Sequence, residues 1–377
     1  MDNSVNQKFL KKRRLYKMKG LDNYDYIYVY KAKNEQEFGI RRANVDDAGG
    51  ISEVFENNYG YNYLDPIVYD LGKLKKKILD PNHYWYVAVE LNSSDVVGCS
   101  NLEIKNEFEA YAGKLVFKKE YQGLGIASVI GTQASIDVFT TAGDVFKKLL
   151  RINNDIRATN PKSQKFALKA NNFPYGFVPN FNNYADKRNH INEENPFSEG
   201  DIEPVILSFF PLNNIWRKRE KDVFLLNNGE VKYFYDCISN MTRKMRKDEL
   251  HLENAEDDPK KFSDYNIDKD IYRSIVTFTG YIAPDKLDIL LEEFKNWNCI
   301  VWQVPTSRNG VYYQKIAMKN EFLPGGYNPG SFISNTIHDA VVFLKFPSGI
   351  VEGQFNCIDL IDEVKPIAGK VIEKCCK

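Results

Sequence analysis

A short apolar run, a glycine-containing turn and an amphipathic segment follow one another near the end of the first third of the chain. Leu115, Val116 and Phe117 are consecutive apolar residues, as in a buried strand. The turn at 122–127 contains two glycines, and apolar residues then recur with helical spacing at 126, 129, 130, 134 and 138. This pattern predicts a strand, a tight turn and the start of a helix.

Such a turn predicts a binding site for an anion. Glycine adopts positive φ angles at little cost and lets a ligand approach the backbone. The N–H groups in the first turn of a helix have no partner within the helix, and the helix dipole adds positive potential there. Phosphate groups are therefore the expected ligands, and a pyrophosphate would suit the site well.

The turn has a recognisable sequence. Its residues are Gln122, Gly123, Leu124, Gly125, Ile126 and Ala127. This hexapeptide resembles the acyl-CoA pyrophosphate loop of the GNAT family of N-acetyltransferases, which follows Gln/Arg-x-x-Gly-x-Gly/Ala. The resemblance covers about residues 38–212. It implies an α+β fold with α/β/α layers, in which a mixed central sheet is flanked by helices.

The pattern before the turn predicts a series of short elements. Residues 38–45 read as a strand, with Asp46 and Asp47 as N-caps of a helix that carries an apolar stripe. A second helix is expected at 71–79. Strands at 85–90 and 96–104 flank the polar turn 92–95, which predicts an antiparallel hairpin.

The pattern after the turn continues this alternation. We expect helices at 124–139, 144–153 and 163–169, and strands at 155–159 and 205–210. Residues 223–226 and 231–235 are predicted to pair as a hairpin across Asn227, Asn228 and Gly229. The final helix is expected to be kinked or broken at Pro366.

Part of the chain is repeated. Residues 164–179 align without a gap with residues 314–329, and seven of the 16 positions are identical. The surrounding pattern also agrees, with helices at 287–294 and 311–320 and strands at 299–304 and 340–346. No glycine turn like 122–127 precedes the second copy. An internal duplication is therefore predicted, with a degenerate second GNAT-like unit that lacks its own CoA site.

These patterns predict five segments along the chain. They are a basic N-terminal extension at 1–37, a GNAT acyltransferase domain at 38–215, a polar linker or insertion at 216–265, a degenerate GNAT-like repeat at 266–350 and a C-terminal helical tail at 351–377.

Composition narrows the possible partners and location. The 377 residues contain 51 Lys and Arg and 51 Asp and Glu, so the formal net charge is zero. A neutral protein is not expected to bind nucleic acid over its whole surface. The basic run at 8–19 leaves a local contact with nucleic acid open. The chain has no apolar run of membrane-spanning length. Its six cysteines show no CxxC spacing, as in a reduced cytoplasmic protein, and its four scattered histidines argue against a metal site.

The resemblance also implies residue roles. It places the CoA pyrophosphate on the N–H groups of 122–127 and the pantetheine beside Val116 and Phe117. Asn160 and Ser163, at the start of a later helix, are candidates to contact the pantetheine arm. Tyr61 and Tyr63 lie in the connection that commonly borders the acceptor site, although packing beneath a loop explains them equally well.

The transfer chemistry needs a base and an acid. Glu103, on a predicted strand, is the first candidate for the base, and an exposed structural glutamate is the alternative. Many GNAT enzymes carry a Tyr as general acid in the pattern Asn-x-x-Ala-x-x-x-Tyr. Here Gln164 and Asn171 occupy the first and last positions. Because an amide is not an acid, Tyr175 or solvent would have to protonate the leaving thiolate.

Three functions remain open at this point. The first is an acyl-CoA-dependent N-acyltransferase that acts on a small-molecule or peptide amine. The second keeps the fold but takes its acyl group from a carrier protein or an aminoacyl-tRNA. The third is a CoA-binding regulatory or scaffold protein without catalysis, which Asn171 in the usual Tyr position would favour.

Overall fold

The structure, a computed structural model, forms two compact units, Met1–Ile152 (unit 1) and Asn153–Lys377 (unit 2). The basic run at 8–19 and the polar residues 257–261 lie outside the described residues. The ranges described are 25–141, 143–188, 200–255, 263–333 and 335–376.

Unit 1 is organised around an antiparallel sheet with the strand order β1-β2-β3-β4-β5. The predicted hairpin is confirmed, because β3 pairs with β4 in the register Val87↔Cys99. The strands are β1 (Tyr28–Lys31), β2 (Glu37–Arg42), β3 (His83–Glu90), β4 (Val96–Ile104) and β5 (Glu109–Phe117).

Helices cover both faces of this sheet. Trp85, Val87 and Val89 alternate along β3 and pack in one apolar cluster with residues of α1 and α2. Tyr86 points the other way, and its hydroxyl donates to Asp137 of α3 at 2.8 Å. The predicted α/β/α layering is confirmed. The helices are α1 (Ala48–Tyr59), α2 (Leu71–Leu79), α3 (Ile126–Thr141) and α4 (Gly143–Lys148).

The start of the first helical segment differs from the prediction. Asn44, rather than Asp46 or Asp47, is the side-chain cap, and its Oδ1 accepts from the Asp46 N–H at 2.8 Å. Asp47 instead forms a buried ion pair with Arg41 at 2.6 Å and accepts from the Asn44 N–H. An aspartate held by a buried arginine is no longer available as a simple cap.

Unit 2 contains a mixed sheet with the strand order β6-β8-β7-β14-β15-β13-β12-β11 and a separate parallel pair of β9 and β10. Within the mixed sheet, β12 and β13 are parallel, and the antiparallel pairs include β11–β12, β13–β15, β14–β15, β7–β14 and β7–β8. Strand β6 begins at the boundary between the units. The strands are β6 (Arg151–Arg157), β7 (Phe173–Tyr184), β8 (Asp201–Pro211), β9 (Asp222–Leu226), β10 (Glu249–Glu253), β11 (Asp264–Asp270), β12 (Ile275–Tyr281), β13 (Cys299–Pro305), β14 (Leu323–Ile333) and β15 (Thr336–Lys345).

Helices lie between these strands along the chain, and the last helix follows β15. The predicted mixed sheet with helices is confirmed, and β9–β15 form a second sheet-rich region that follows residues 38–215 along the chain. The helices are α5 (Pro161–Lys169), α6 (Ile215–Lys218), α7 (Gly229–Thr242), α8 (Pro284–Glu293), α9 (Gly310–Lys319) and α10 (Lys365–Cys375).

The hairpin predicted across 227–229 is wrong. Asn228 caps α7, and its side chain accepts from the N–H groups of Glu230 and Val231. The buried residues Val231, Phe234 and Ile238 have helical spacing, and this pattern overrides the turn signal. Consequently, the described part of the predicted linker 216–265 contains helices and strands.

Two other boundaries also differ. The predicted helix at 144–153 ends at Lys148, and β6 begins at Arg151, because Leu150 donates its N–H to Phe108 O at 2.7 Å and the chain is extended there. Pro366 lies in the first turn of α10 rather than at a kink. The first turn tolerates proline because its N–H groups have no partner within the helix.

The 150-residue offset read from the sequence also appears in the backbone of unit 2. Asn171 after α5 has φ 59°, and Glu321 after α9 has φ 63°. Asn180 in β7 has φ 54°, and Gly330 in β14 has φ 66°. Both left-handed positions therefore recur at the same offset in the two copies. The domain boundaries predicted from the sequence remain predictions.

Candidate functional site

The strand, turn and helix predicted around 122–127 are present in unit 1. Strand β5 ends at Phe117, a 3-10 turn covers Lys119–Tyr121, and α3 begins at Ile126. Gly123 and Gly125 have φ angles of 82° and 86°, which other residues rarely adopt. The glycines therefore provide the sharp turn that aims the backbone at the start of α3.

The turn leaves N–H groups free. Within the part of the chain that the structure describes, the N–H groups of Gly123, Leu124 and Gly125 donate to no acceptor. Along α3, Ser128 is the first described residue whose N–H is hydrogen-bonded, to Gly125 O at 3.1 Å. Both glycines are exposed, and a Cβ added at Gly123 would meet open space. The arrangement is an open cradle of donors at the positive end of a helix dipole.

Side chains from α1 hold the turn in place. Gln122 donates to Asn58 Oδ1 at 2.9 Å and to Phe117 O at 3.1 Å. Asn57 Oδ1 accepts from the Lys119 N–H at 2.8 Å. The side chain of Gln122 is thus committed to the protein, and its N–H is bonded to Lys119 O at 3.3 Å. Neither asparagine was predicted from the sequence.

Tyr30 of β1 supports the turn from the other side. Its hydroxyl donates to Leu124 O at 2.9 Å. A Cβ added at Gly125 would lie 2.8 Å from the same hydroxyl. The position therefore requires glycine for two reasons, its φ angle and the close approach of Tyr30.

The two residues predicted to flank the pantetheine lie at the end of β5. Val116 and Phe117 pair with Cys99 and Gly98 of β4, and both side chains are buried. The Phe117 carbonyl also accepts from Asn58 Nδ2 at 2.7 Å. This carbonyl is therefore engaged within unit 1, and a contact with pantetheine remains a prediction.

Glu103, the predicted base, lies on β4 directly opposite His83 of β3. Its carboxylate is 3.0 Å from Lys105 Nζ and 3.8 Å from His83 Nε2. Burial lowers the pKa of His83, and the nearby Lys77 lowers it further, while Glu103 opposes both. The carboxylate is partly exposed and can meet a substrate, and its role as a base remains a prediction.

The two predicted acceptor-site tyrosines differ in environment. Tyr63 packs on Phe55 and Tyr59, with ring centroids 4.5 and 5.0 Å apart. Tyr61 is 37% exposed, and its hydroxyl donates to Glu56 at 2.9 Å. Tyr63 therefore packs against the core of unit 1, whereas Tyr61 exposes part of its side chain to solvent.

The remaining predicted site residues lie in unit 2. Asn160 caps α5, and its Oδ1 accepts from Lys162 and Ser163, while Ser163 Oγ donates to Asn160 O at 2.8 Å. Tyr175 is 6% exposed on β7 and its ring makes an edge contact with Phe209. The hydrogen-bonding groups of Asn160 and Ser163 are thus used, at least in part, for capping.

Gln164 and its counterpart in the repeat bind the chain in the same way. The Gln164 amide donates to Asp359 O at 2.9 Å and accepts from the Ile361 N–H at 3.0 Å. The Gln314 amide donates to Phe224 O at 3.2 Å and accepts from the Leu226 N–H at 2.8 Å. Each glutamine therefore clamps two alternate residues of an extended segment.

The described residues contain one group of possible metal ligands. Asp222, Glu249 and His251 have ligand atoms within 4.8 Å of one another on the β9–β10 pair of unit 2. His251 Nε2 lies 3.2 Å from Asp222, and its ring stacks on Phe224. Exposed groups of this kind are common without a metal.

No described helix has the length and apolar character needed to cross a membrane.

Known structures of similar fold cover about half of the chain. Acetyltransferases are among them. The ribosomal-protein-S5-alanine acetyltransferase of Vibrio fischeri is 16% identical, with a TM-score of 0.37, over 49% of this chain and 96% of its own. The spermidine/spermine N-acetyltransferase of Vibrio cholerae is 19% identical, with a TM-score of 0.35, over 50% and 99%.

A third similar structure is the GNAT superfamily phosphinothricin acetyltransferase of Sinorhizobium meliloti. It is 14% identical, with a TM-score of 0.36, over 47% of this chain and 89% of its own. No protein-family model matches the chain, and no curated protein matches it in sequence. At these identities, the acceptors and site residues of the similar proteins do not transfer to this chain.

Proposed function

We propose that the protein is an acyl-CoA-dependent N-acyltransferase that transfers an acetyl or other acyl group directly to an amine. The observation that carries the proposal is the donor cradle of Gly123, Leu124 and Gly125 at the start of α3. Backbone N–H groups and a helix dipole attract a pyrophosphate without any basic side chain. The free donors and the open space at Gly123 fit that group.

The chain's own residues would supply orientation and proton transfer. Bound acyl-CoA would supply a thioester, whose acyl carbon forms the amide bond to the amine as its C–S bond breaks. Glu103 would take the proton that the amine loses. Tyr175 is the candidate that returns a proton to the thiolate, since Asn171 cannot act as an acid.

Two other functions share this fold. A scaffold that binds CoA without turnover is favoured by Asn171 in the usual Tyr position and by the capping roles of Asn160 and Ser163. Transfer from a carrier protein or an aminoacyl-tRNA would need a different donor site, and the open cradle makes it the weaker alternative.

We also propose that residues 266–350 are a degenerate second copy of the GNAT-like unit. The sequence identity at an offset of 150, the recurring left-handed positions and the matched clamps of Gln164 and Gln314 support this. A cytoplasmic location agrees with the six free cysteines.

Thermal unfolding with CoA and with acetyl-CoA tests the donor site. Ligand at 100 times its Kd should stabilise the native protein by about 2.7 kcal/mol. The melting temperature should then rise by roughly 2–4 °C for each kcal/mol. Gly123→Glu would place a carboxylate in the cradle and should abolish the shift.

The matched control is Gly349→Glu in unit 2. Gly349 has φ 80°, against 82° for Gly123, and neither has an atom within 4 Å of an added Cβ. Both variants therefore introduce the same charge at the same backbone cost. A shift that Gly349→Glu retains and Gly123→Glu loses supports the cradle. No shift in the wild type at millimolar ligand contradicts the proposal, and binding without turnover on a broad amine panel favours the scaffold.

A further inference from the structure

Trp85 and Asn101 of unit 1 each carry a buried donor without an acceptor among the described residues, and the two residues lie side by side. Trp85 of β3 is 4% exposed and Asn101 of β4 is 5% exposed. Neither Trp85 Nε1 nor Asn101 Nδ2 has a hydrogen-bond acceptor among the described residues. The two residues are directly opposite in the β3–β4 register, so their side chains share one face of the sheet.

A chain of hydrogen bonds fixes which end of the Asn101 amide is free. Lys77 Nζ lies 3.1 Å from His83 Nε2, and a lysine ammonium can only donate. His83 Nε2 is therefore the acceptor, and its proton lies on Nδ1, which is 3.4 Å from Asn101 Oδ1. The Asn101 oxygen is thus engaged, and its NH₂ group is left to donate elsewhere.

A cation and its counter-ion lie next to these donors. Lys114 Nζ lies 5.9 Å from the centre of the Trp85 ring and 3.1 Å from Asp65. Asp65 follows Tyr61 and Tyr63 in the connection after α1, and Tyr63 packs against the same apolar cluster as Trp85. Lys114 and Asp65 are both partly exposed, so this pair can exchange partners at the surface.

Unpaired buried donors carry a cost that a ligand can remove. A buried donor without an acceptor has lost its hydrogen bonds to water and gained none in return, so it lowers the stability of the folded state. A carboxylate accepts two N–H groups and also pairs with a lysine, and such charge-assisted bonds are stronger than bonds to neutral groups. Two donors on one face, with the Lys114 ammonium near the Trp85 ring, match that group.

We propose that Trp85, Asn101 and Lys114 bind the carboxylate of an acceptor that carries both an amine and a carboxylate, as an amino acid does. The acceptor carboxylate replaces Asp65 as the partner of Lys114. Glu103 lies two residues beyond Asn101 on the same face of β4, where it would meet the acceptor amine. The proposal rests on the proposed N-acyltransferase function and names its substrate class.

Binding can be measured without any acyl donor. The chain has four tryptophans, so protein with ¹⁵N-labelled tryptophan gives four indole N–H signals at most, and Trp85→Phe identifies that of Trp85. Titration with L-phenylalanine or L-lysine should shift this signal. The matched amines 2-phenylethylamine and cadaverine, which lack only the carboxylate, should leave it in place. L-Phenylalaninamide separates a carbonyl from a carboxylate.

Turnover with acetyl-CoA gives a second readout. We expect kcat/KM to be at least about tenfold higher for each amino acid than for its decarboxylated partner. Asn101→Asp keeps the shape but replaces the donor with an anion, and Trp85→Phe removes the indole N–H. Both should bring the ratio close to one. Trp302→Phe in unit 2, where the indole donates to Gly280 O at 3.0 Å, is the control for loss of a buried indole.

Several results would overturn the proposal. An indole signal that moves with none of the five compounds means that the donors hold only an internal water. Equal shifts with L-phenylalaninamide and L-phenylalanine would assign a neutral carbonyl instead. Unchanged ratios in folded Asn101→Asp and Trp85→Phe would remove both residues from the site. If CoA stabilises the protein but these results occur, only the acceptor assignment fails. If CoA does not bind, the proposed function fails, and the titration still tests the carboxylate site.

Discussion

The two units each contain a strand that leads through a turn into a helix, and the two turns differ in what they offer a ligand. After β5, the N–H groups of the exposed residues Gly123 and Gly125 have no acceptor within the described ranges. After β12, the turn runs through Ile282 and Ala283, both buried, into Pro284, which has no N–H. A similar local order thus yields one open cradle and one closed turn.

The backbone N–H and C=O of Ala283 in the closed turn are already hydrogen-bonded within the protein. The Ala283 N–H donates to Ser263 Oγ at 3.0 Å, and the Lys286 N–H donates to Ala283 O. Asp285 adds a negative charge in the first turn of α8. An anion at that position would meet a carboxylate and few donors, so we expect one CoA site in the chain rather than two.

The largest loss of stability should come from shortening a buried side chain in the closed turn. Ile282 is fully buried, and Ile282→Ala should destabilise the protein by about 2–5 kcal/mol because it leaves a cavity. Leu124 in the open turn is only half-buried, and Leu124→Ala should cost less than about 1 kcal/mol. Urea unfolding of the two variants measures the difference. Equal losses would mean that the turns are packed alike.

The next effect is expected at Gly125. Gly125→Ala should cost about 1–2 kcal/mol because alanine is strained at φ 86°, and the crowding by Tyr30 adds to this. The loss should be smaller in a Tyr30→Phe background, where the hydroxyl is absent. As a control, Gly369→Ala lies within α10 with open space around it and should stabilise the protein. A double-mutant cycle without coupling would contradict the close approach of Tyr30.

A smaller effect should follow removal of the acceptor in the closed turn. Ser263→Ala leaves the Ala283 N–H without a partner and should cost about 1 kcal/mol. Its unfolding midpoint in urea should fall while the stabilisation by CoA is unchanged. Loss of CoA binding in this variant would show that the closed turn also serves the donor.

The smallest stability effect is expected at Gln122. Gln122→Ala removes the bonds to Asn58 and Phe117 from an exposed side chain, and it should cost less than about 1 kcal/mol. The Kd for CoA, from isothermal titration, should nevertheless rise because the cradle is less well held. A stability loss with an unchanged Kd would mean that Gln122 supports the fold and not the site.

The elements of the open turn could be predicted because their signals are local. Glycines, apolar spacing and the hexapeptide lie within 20 residues of each other in the chain. The supports of the turn could not be predicted, since Asn57 and Tyr30 reach it from 62 and 94 residues away. Such contacts depend on the packing of α1 and β1, and no sequence pattern announces them.

Competing local signals explain the errors. Asn227, Asn228 and Gly229 have the composition of a hairpin turn, yet the same Asn228 is also a good helix cap. The apolar residues that follow it decide the outcome. The donors of Trp85 and Asn101 illustrate a second limit of prediction from sequence. Whether a donor lacks an acceptor can be determined only when the neighbours of its side chain are known.

The open cradle has a consequence for genetic screens. Its ligand-binding groups belong to the main chain, and replacing a side chain leaves them in place. A side-chain scan that replaces Leu124 with alanine would therefore keep every donor and would score that position as dispensable. Amide-to-ester substitution at 123–125, made by chemical ligation, deletes one donor at a time and would expose the contribution that such a scan overlooks.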